Sequence, residues 1–177
     1  MSNLTIQPNK EDHIRGNRKG PITLVEYGDF QCPDCGAAYP IVKEILEIRG
    51  DVLKLVFRNF PLYQIHSYAL HAAYAAEAAG KQDKFWEMHD ILLTNQDRLE
   101  DKDLESYAKG LSLDMNQFTK DANSDEIAKK VQTDITGGIN SDVNGTPTFF
   151  INGISFDKYY DFDSLLEAID LSEKEIS

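Results

Sequence analysis

Residues 22–35 read ITLVEYGDFQCPDC, and the fold turns on this stretch. Ile22 to Tyr27 is dense in β-branched and aromatic residues and follows the turn signal Gly20-Pro21, which predicts a buried strand. Gly28 ends the run. Then comes Cys32-Pro33-Asp34-Cys35, holding the only 2 cysteines of a 177-residue chain. At the first turn of a helix, residues three apart lie about 5 to 6 Å from each other, within the span that a disulfide tolerates. The pair can therefore close and open reversibly.

Downstream, Ala37, Ala38, Ile41, Val42, Ile45 and Leu46 recur at three- and four-residue intervals and stop at Gly50. This predicts an amphipathic helix with a glycine C-cap, kinked at Pro40. Val52 to Phe60 (VLKLVFRNF) predicts a second strand ended by Pro61, so the chain begins strand, helix, strand, a crossover that makes two parallel neighbours. From Ser67 the pattern turns helical. Ser67 to Ala79 is alanine-rich and stops at Gly80; Lys84 to Leu93 follows with Phe85, Trp86, Met88 and Leu92. Two or three shorter segments run to about Val143, the last with a capping box set by Asn123 and Glu126. Thr148 to Ile151, Asn152-Gly153 and Ile154 to Phe156 form the strongest two-residue hairpin signal available. Asp161 to Ile169 closes the chain as a helix with Leu165, Leu166 and Ile169 on one face.

The length predicts one domain, 1–177, interrupted by a helical insertion at 62–143, and at this size a core needs no disulfide staple. Thirty acidic against 18 basic residues give a formal charge of −12, with no basic face. Phosphate neutralisation is the main source of nucleic-acid affinity, so a nucleic-acid partner is excluded. Residues 1–20 contain no apolar core of the secretory kind, and no stretch approaches the roughly 20 apolar residues that span a bilayer, so a cytoplasmic protein without membrane insertion is expected. There, 2 close cysteines suggest redox catalysis or metal binding before structural bridging.

Thiol–disulfide exchange needs an attacking thiolate, a second thiol that resolves the mixed disulfide, and an acceptor for that thiol's proton. Cys32 stands at the N-terminal edge of the predicted helix, where unpaired N–H groups stabilise an anion. Cys35 lies one turn inside. Cys32 is thus read as the nucleophile and Cys35 as the resolving thiol. Asp34 places a carboxylate between them and is expected to oppose the thiolate, giving a less oxidising couple than a histidine there. Glu26 sits among apolar strand residues. It belongs either to a solvated strand edge or to a buried site, where it would be protonated part of the time.

Glu26, CPDC, Pro40 in the helix and Gly145-Thr146-Pro147 before a hairpin together resemble the thioredoxin superfamily. The helical insert narrows the resemblance to the DsbA-like branch of thiol–disulfide oxidoreductases. VEYGDFQCPDC, RNFPL, HAAYAAEAAGKQDKFWEMHD and GTPTFFING are similar to its cytoplasmic or antiporter-fused bacterial members. The resemblance implies an α/β thioredoxin fold, a mixed sheet flanked by helices with an all-helical insertion. It also implies a disulfide oxidoreductase without cofactor, acting on cysteine-containing proteins or peptides and recycled by an unidentified redox partner. Cys32, Cys35 and Glu26 would be its catalytic residues, Glu26 accepting the Cys35 proton, with Pro33 and Asp34 completing the motif. Thr146-Pro147 would be the cis-proline dipeptide that meets substrate backbone, and Arg58 would take the place of a basic residue near the acid.

Two other classes compete. Zinc or iron–sulfur binding through Cys32 and Cys35 lacks a third cysteine or a suitably spaced histidine, so no metal is assigned. A peptide-binding or chaperone module would rely on the groove rather than the thiols. His66 is read as a helix-junction residue that the insert could bring near the cysteines, His71 and His89 as packing or surface residues, and His13 has no partner in sequence. Phe85, Trp86, Tyr68 and Tyr74 are read as insert core, and the acidic run 97–105 as a solvated helix boundary.

Overall fold

The computed structural model describes residues 2–176. Its elements are β1 (His13–Gly16), β2 (Ile22–Gly28), α1 (Pro33–Arg49), β3 (Leu53–Asn59), α2 (Ala69–Gly80), α3 (Phe85–Thr94), α4 (Asp101–Gly110), α5 (Met115–Ala122), α6 (Asp125–Asn140), β4 (Thr148–Ile151), β5 (Ile154–Ser155) and α7 (Phe162–Ile176). The strands form one mixed sheet in the order β1-β3-β2-β4-β5. β2 and β3 run parallel, joined by α1 as the crossover, and the other pairings are antiparallel. This is the α/β thioredoxin fold with helices α2 to α6 inserted between β3 and β4. No helix among the described residues is long and apolar enough to cross a membrane.

Strand alternation decides what each sheet face can hold. On one face Ile22, Leu24, Leu53, Leu55, Phe149 and Ile151 pack against Ala38, Val42 and Ile45 of α1 and Leu165 and Ile169 of α7. On the other, Val25, Tyr27, Val56 and Phe150 pack with Leu4, Phe60 and Val143. A third cluster is the core of the helical excursion, built on Ala72, Ala76, Phe85, Met88, Leu92 and Leu104. It continues without a break into Phe30, Cys32, Cys35 and Phe57, so the thiols belong to the insert's own core.

Three local expectations need correction: the lack of a partner for His13, the cap of α6 and the burial of Tyr68. The edge strand β1 went unread because HIRG offers four residues and one aliphatic side chain, too short for an alternation signal; it is held by pairing Ile14 with Val56 and its neighbours with β3. His13 does have a partner, its Nε2 lying 2.8 Å from Glu77 Oε2 on α2 with its ring stacked on Phe85. The cap of α6 is Ser124, one residue after Asn123, its hydroxyl accepting from Ile127 N–H at 3.3 Å. Gly50 is the C-cap of α1, as its place after the apolar stripe predicts, and lies in the right-handed region at φ −64°. Helix α7 outlasts its apolar stripe because Arg49 of α1 pairs with Asp170 and Glu173. The Asn152-Gly153 turn takes φ 48° and 85°, both left-handed, as a type I′ hairpin turn requires. Of the aromatics assigned to the insert core, Phe85 is buried and Trp86 and Tyr74 pack against the cluster, but Tyr68 is exposed.

Candidate active site

Pro33 at the first helical position of α1 has the φ a helix start needs and no N–H to leave unpaired. It places Cys32 at the N-cap and Cys35 in the first turn, on the buried side with Ala38, Val42 and Ile45. Both thiols are free. The Cys32 thiol is held down to about 6, first by a hydrogen bond from the Cys35 thiol, against some desolvation, and then by the Thr146 side chain and the N–H groups of Cys35 and Asp34. In the neutral form Cys32 Sγ donates to the Thr146 carbonyl at 3.3 Å, while the Thr146 hydroxyl is buried without another partner. Cys35 is fully buried, and desolvation, the Cys32 hydrogen bond and the charge of Glu26 push its thiol well above the usual range. One thiol is poised as an anion and its neighbour keeps its proton.

Glu26 is buried in the middle of β2, on the sheet face shared with Leu24, between Phe57 of β3 and Phe149 of β4. Burial alone lifts its carboxyl to about 8, and Oε1 has no hydrogen-bond partner. The solvated-edge reading of Glu26 is thereby removed. Arg58 does not serve it. One residue after Phe57, Arg58 points to the opposite sheet face, where its guanidinium donates to Asp12 at 2.9 Å, to the Ile6 carbonyl at 2.7 Å and to the Tyr27 hydroxyl at 3.1 Å. Period-two alternation separates the two side chains although their strands are adjacent.

Asp34 meets the site through two groups. Its N–H supports the Cys32 anion, while its carboxylate accepts from the Tyr160 hydroxyl at 3.2 Å, on the exposed side of the turn. Desolvation and that carboxylate push the Tyr160 phenol up to about 12, so it stays a donor. The Thr146–Pro147 peptide bond is cis and precedes β4, which sets the Thr146 carbonyl against Cys32. Among the described residues no group of three or more His, Cys, Asp or Glu side chains is arranged to hold a metal.

Asp29, passed over in the sequence reading, is the anchor of the turn. Its backbone N–H donates to Cys35 Sγ at 3.4 Å and its carbonyl accepts from Cys32 N–H at 3.1 Å. Its buried carboxylate accepts from Gln31 N–H and Leu62 N–H, both at 2.8 Å, and lies 2.7 Å from His66 Nδ1. The helix-junction histidine is thus tied to the cysteine turn through Asp29. A signal was present: an acid directly after a strand and just before a helix start meets unpaired backbone donors. Asp29→Ala strands two amide donors and a histidine, and should lower stability by about 3 kcal/mol, read as a reduced urea midpoint at unchanged slope.

A family model described as Thioredoxin matches residues 8–171. The chain is 44% identical over 166 residues to the Na(+)/H(+) antiporter NhaA 1 of Salinispora arenicola, covering 94% of this chain and 25% of that protein. It is 40% identical over 171 residues to NhaA 1 of Mycolicibacterium vanbaalenii, covering 96% and 28%. The chain therefore spans about a quarter of the length of these curated relatives. Among solved structures, a thioredoxin-like oxidoreductase from Silicibacter pomeroyi superposes with a TM-score of 0.85 at 25% identity, covering 94% of each chain. BdbD from Bacillus subtilis superposes with a TM-score of 0.81 at 24% identity over 98% of this chain and 100% of that one, and shares the fold. With its cysteine turn, its mixed sheet and a family match over nearly its whole length, the chain belongs to the thioredoxin family.

Proposed function

We propose that this chain is a thiol–disulfide oxidoreductase acting on cysteine-containing proteins or peptides, with Cys32 as nucleophile, Cys35 as resolving thiol and Glu26 as proton acceptor. The observation that carries the reading is the opposed acidity of two adjacent thiols, Cys32 drawn down to about 6 and Cys35 pushed up. In the reducing direction the Cys32 thiolate attacks one sulfur of a substrate disulfide. A Cys32–substrate bond forms, the substrate's S–S bond breaks, and the departing sulfur takes a proton from water. Cys35 then gives its proton to Glu26 and attacks Cys32 Sγ. The mixed disulfide breaks, the Cys32–Cys35 bond forms and the second substrate sulfur leaves, so two electrons have passed to the substrate. Oxidation is the same sequence reversed, with a redox partner returning the pair to its starting state.

The surroundings support a peptide substrate. Tyr63, Ile65 and Tyr68 are exposed on the segment that His66 and Leu62 bind to Asp29, and Tyr159 is exposed beside Tyr160. Both segments are bonded to the cysteine turn, Tyr68 N–H donating to Gln31 Oε1 at 2.7 Å and the Tyr160 hydroxyl to Asp34 at 3.2 Å, and the Thr146 carbonyl lies next to Cys32. We place this exchange in the cytoplasm, where close thiols are kept for chemistry rather than bridging. The chain is read as one domain with its helical insertion at 62–143 serving as the roof of the site.

Alkylation by iodoacetamide tests the reading directly, because only the thiolate reacts. The rate at Cys32 should rise with pH through an inflection near 6, with Cys35 protected throughout, and the protein should catalyse insulin disulfide reduction by dithiothreitol. A Cys32 inflection in the unperturbed thiol range, or no catalysis with insulin, would refute it.

A further inference from the structure

Besides the Asp29–His66 contact, the helical excursion reaches the cysteine turn through a polar side chain that bonds the backbone of Cys32 itself and that the mechanism above does not use. Gln96, in the loop between α3 and α4, donates from Nε2 to the Phe30 carbonyl at 3.0 Å and to the Cys32 carbonyl at 2.7 Å. One amide NH2 therefore spends both protons on two carbonyls that bracket the turn. The Cys32 carbonyl also receives Gly36 N–H at 3.2 Å, the first helical bond of α1. The fit is close on the other side as well, since a Cβ at position 36 would lie 2.2 Å from Gln96 Oε1. Gly36 is thus the residue that lets the amide reach the backbone.

We propose that Gln96 is a positioning residue for thiol–disulfide exchange: by stapling the carbonyls of Phe30 and Cys32 it fixes the first turn of α1, and with it the direction in which Cys32 Sγ meets its backbone donors. The staple connects the insert to the reacting sulfur. Without it, the amides of Asp34 and Cys35 are no longer held on Sγ, the thiolate loses part of its support, and the reduced form becomes less favoured. The inference rests on Cys32 being the attacking thiol.

Gln96→Met keeps the length and bulk of the side chain and removes both donors. It should raise the Cys32 pKa, followed by thiolate absorbance, by about one unit, and should lower the equilibrium constant for reduction by glutathione roughly five- to tenfold. Gly36→Ala, which displaces the same amide while leaving it in the chain, should shift both quantities in the same direction. In the double variant the second change should add nothing. Parent values of pKa and equilibrium constant in Gln96→Met, with only a lower melting temperature, would reduce Gln96 to packing and overturn the proposal, as would additive shifts in the double variant. Were Gln96→Met not to fold, parent values in Gly36→Ala would overturn it equally. A parent protein whose Cys32 is not acidic would instead refute the exchange reading itself, so the two failures are separable.

Discussion

Cys32→Ser should lower the rate of insulin disulfide reduction by at least roughly a thousandfold, to the level of the uncatalysed reaction, because a serine hydroxyl does not ionise at neutral pH and cannot form the covalent intermediate. Cys35→Ser should fail one step later. Its Cys32 thiolate still attacks, but nothing inside the protein resolves the product, so a stoichiometric mixed disulfide with the substrate accumulates and is released by dithiothreitol. Intact mass measurement distinguishes the two variants in one experiment: no adduct for Cys32→Ser, one substrate chain per protein for Cys35→Ser. The asymmetry follows from position, since Cys32, 6% exposed, stands at the helix start beside the Thr146 carbonyl while Cys35 lies one turn inside with no exposed surface. A Cys35→Ser variant that turned over at the parent rate, or a Cys32→Ser variant that trapped substrate through Cys35, would reverse the assignment.

Glu26→Gln should slow resolution of the mixed disulfide by about a hundredfold, the scale of a lost general base. The pH dependence carries the sign. With its carboxyl at about 8, Glu26 is roughly a tenth ionised at pH 7, so the parent resolution rate should climb through pH 8 and the variant should lack that inflection. Stability should move the other way. Between the unfolded value of 4.5 and the folded value of about 8 the native state holds a proton that the unfolded chain releases. The carboxyl therefore destabilises the fold progressively as pH rises across that window. Removing the charge should make Glu26→Gln more stable than the parent by up to about 3 kcal/mol at pH 7 and by almost nothing at pH 4. Paired urea denaturation at the two pH values measures it. Equal stability at pH 7 would mean that the carboxyl is solvated after all.

Elements that carry their own pattern were legible in the sequence. β2, α1, β3 and the type I′ hairpin each follow from side-chain periodicity or from a pair of turn residues, and the first three place the cysteines at a helix start beside a parallel strand pair. What stayed hidden depends on partners far along the chain. Nothing near Gln96 indicates that its amide meets the carbonyl of Cys32, and the three partners of the Asp29 carboxylate extend to residue 66. Arg58 was set beside Glu26 by likeness of position, yet the half-turn between adjacent strand residues sends it to the other face, to a buried pair with Asp12. The charge of Asp34 is legible in CPDC, but its N–H facing the sulfur and the Tyr160 hydroxyl on its carboxylate depend on the folded turn and on a partner 126 residues away.

Membership of both cysteines in the hydrophobic cluster of the helical insert makes oxidation state and insert stability a single thermodynamic cycle. If the dithiol form packs better against Phe30, Phe57 and the alanine face of α2, the same free energy that strengthens the insert also draws electrons onto the pair, about 30 mV for every 1.4 kcal/mol of preference. Core substitutions remote from the sulfurs then become a means of tuning the couple. Evolution can retune such a protein between oxidant and reductant from inside its helical core, without touching the CPDC turn.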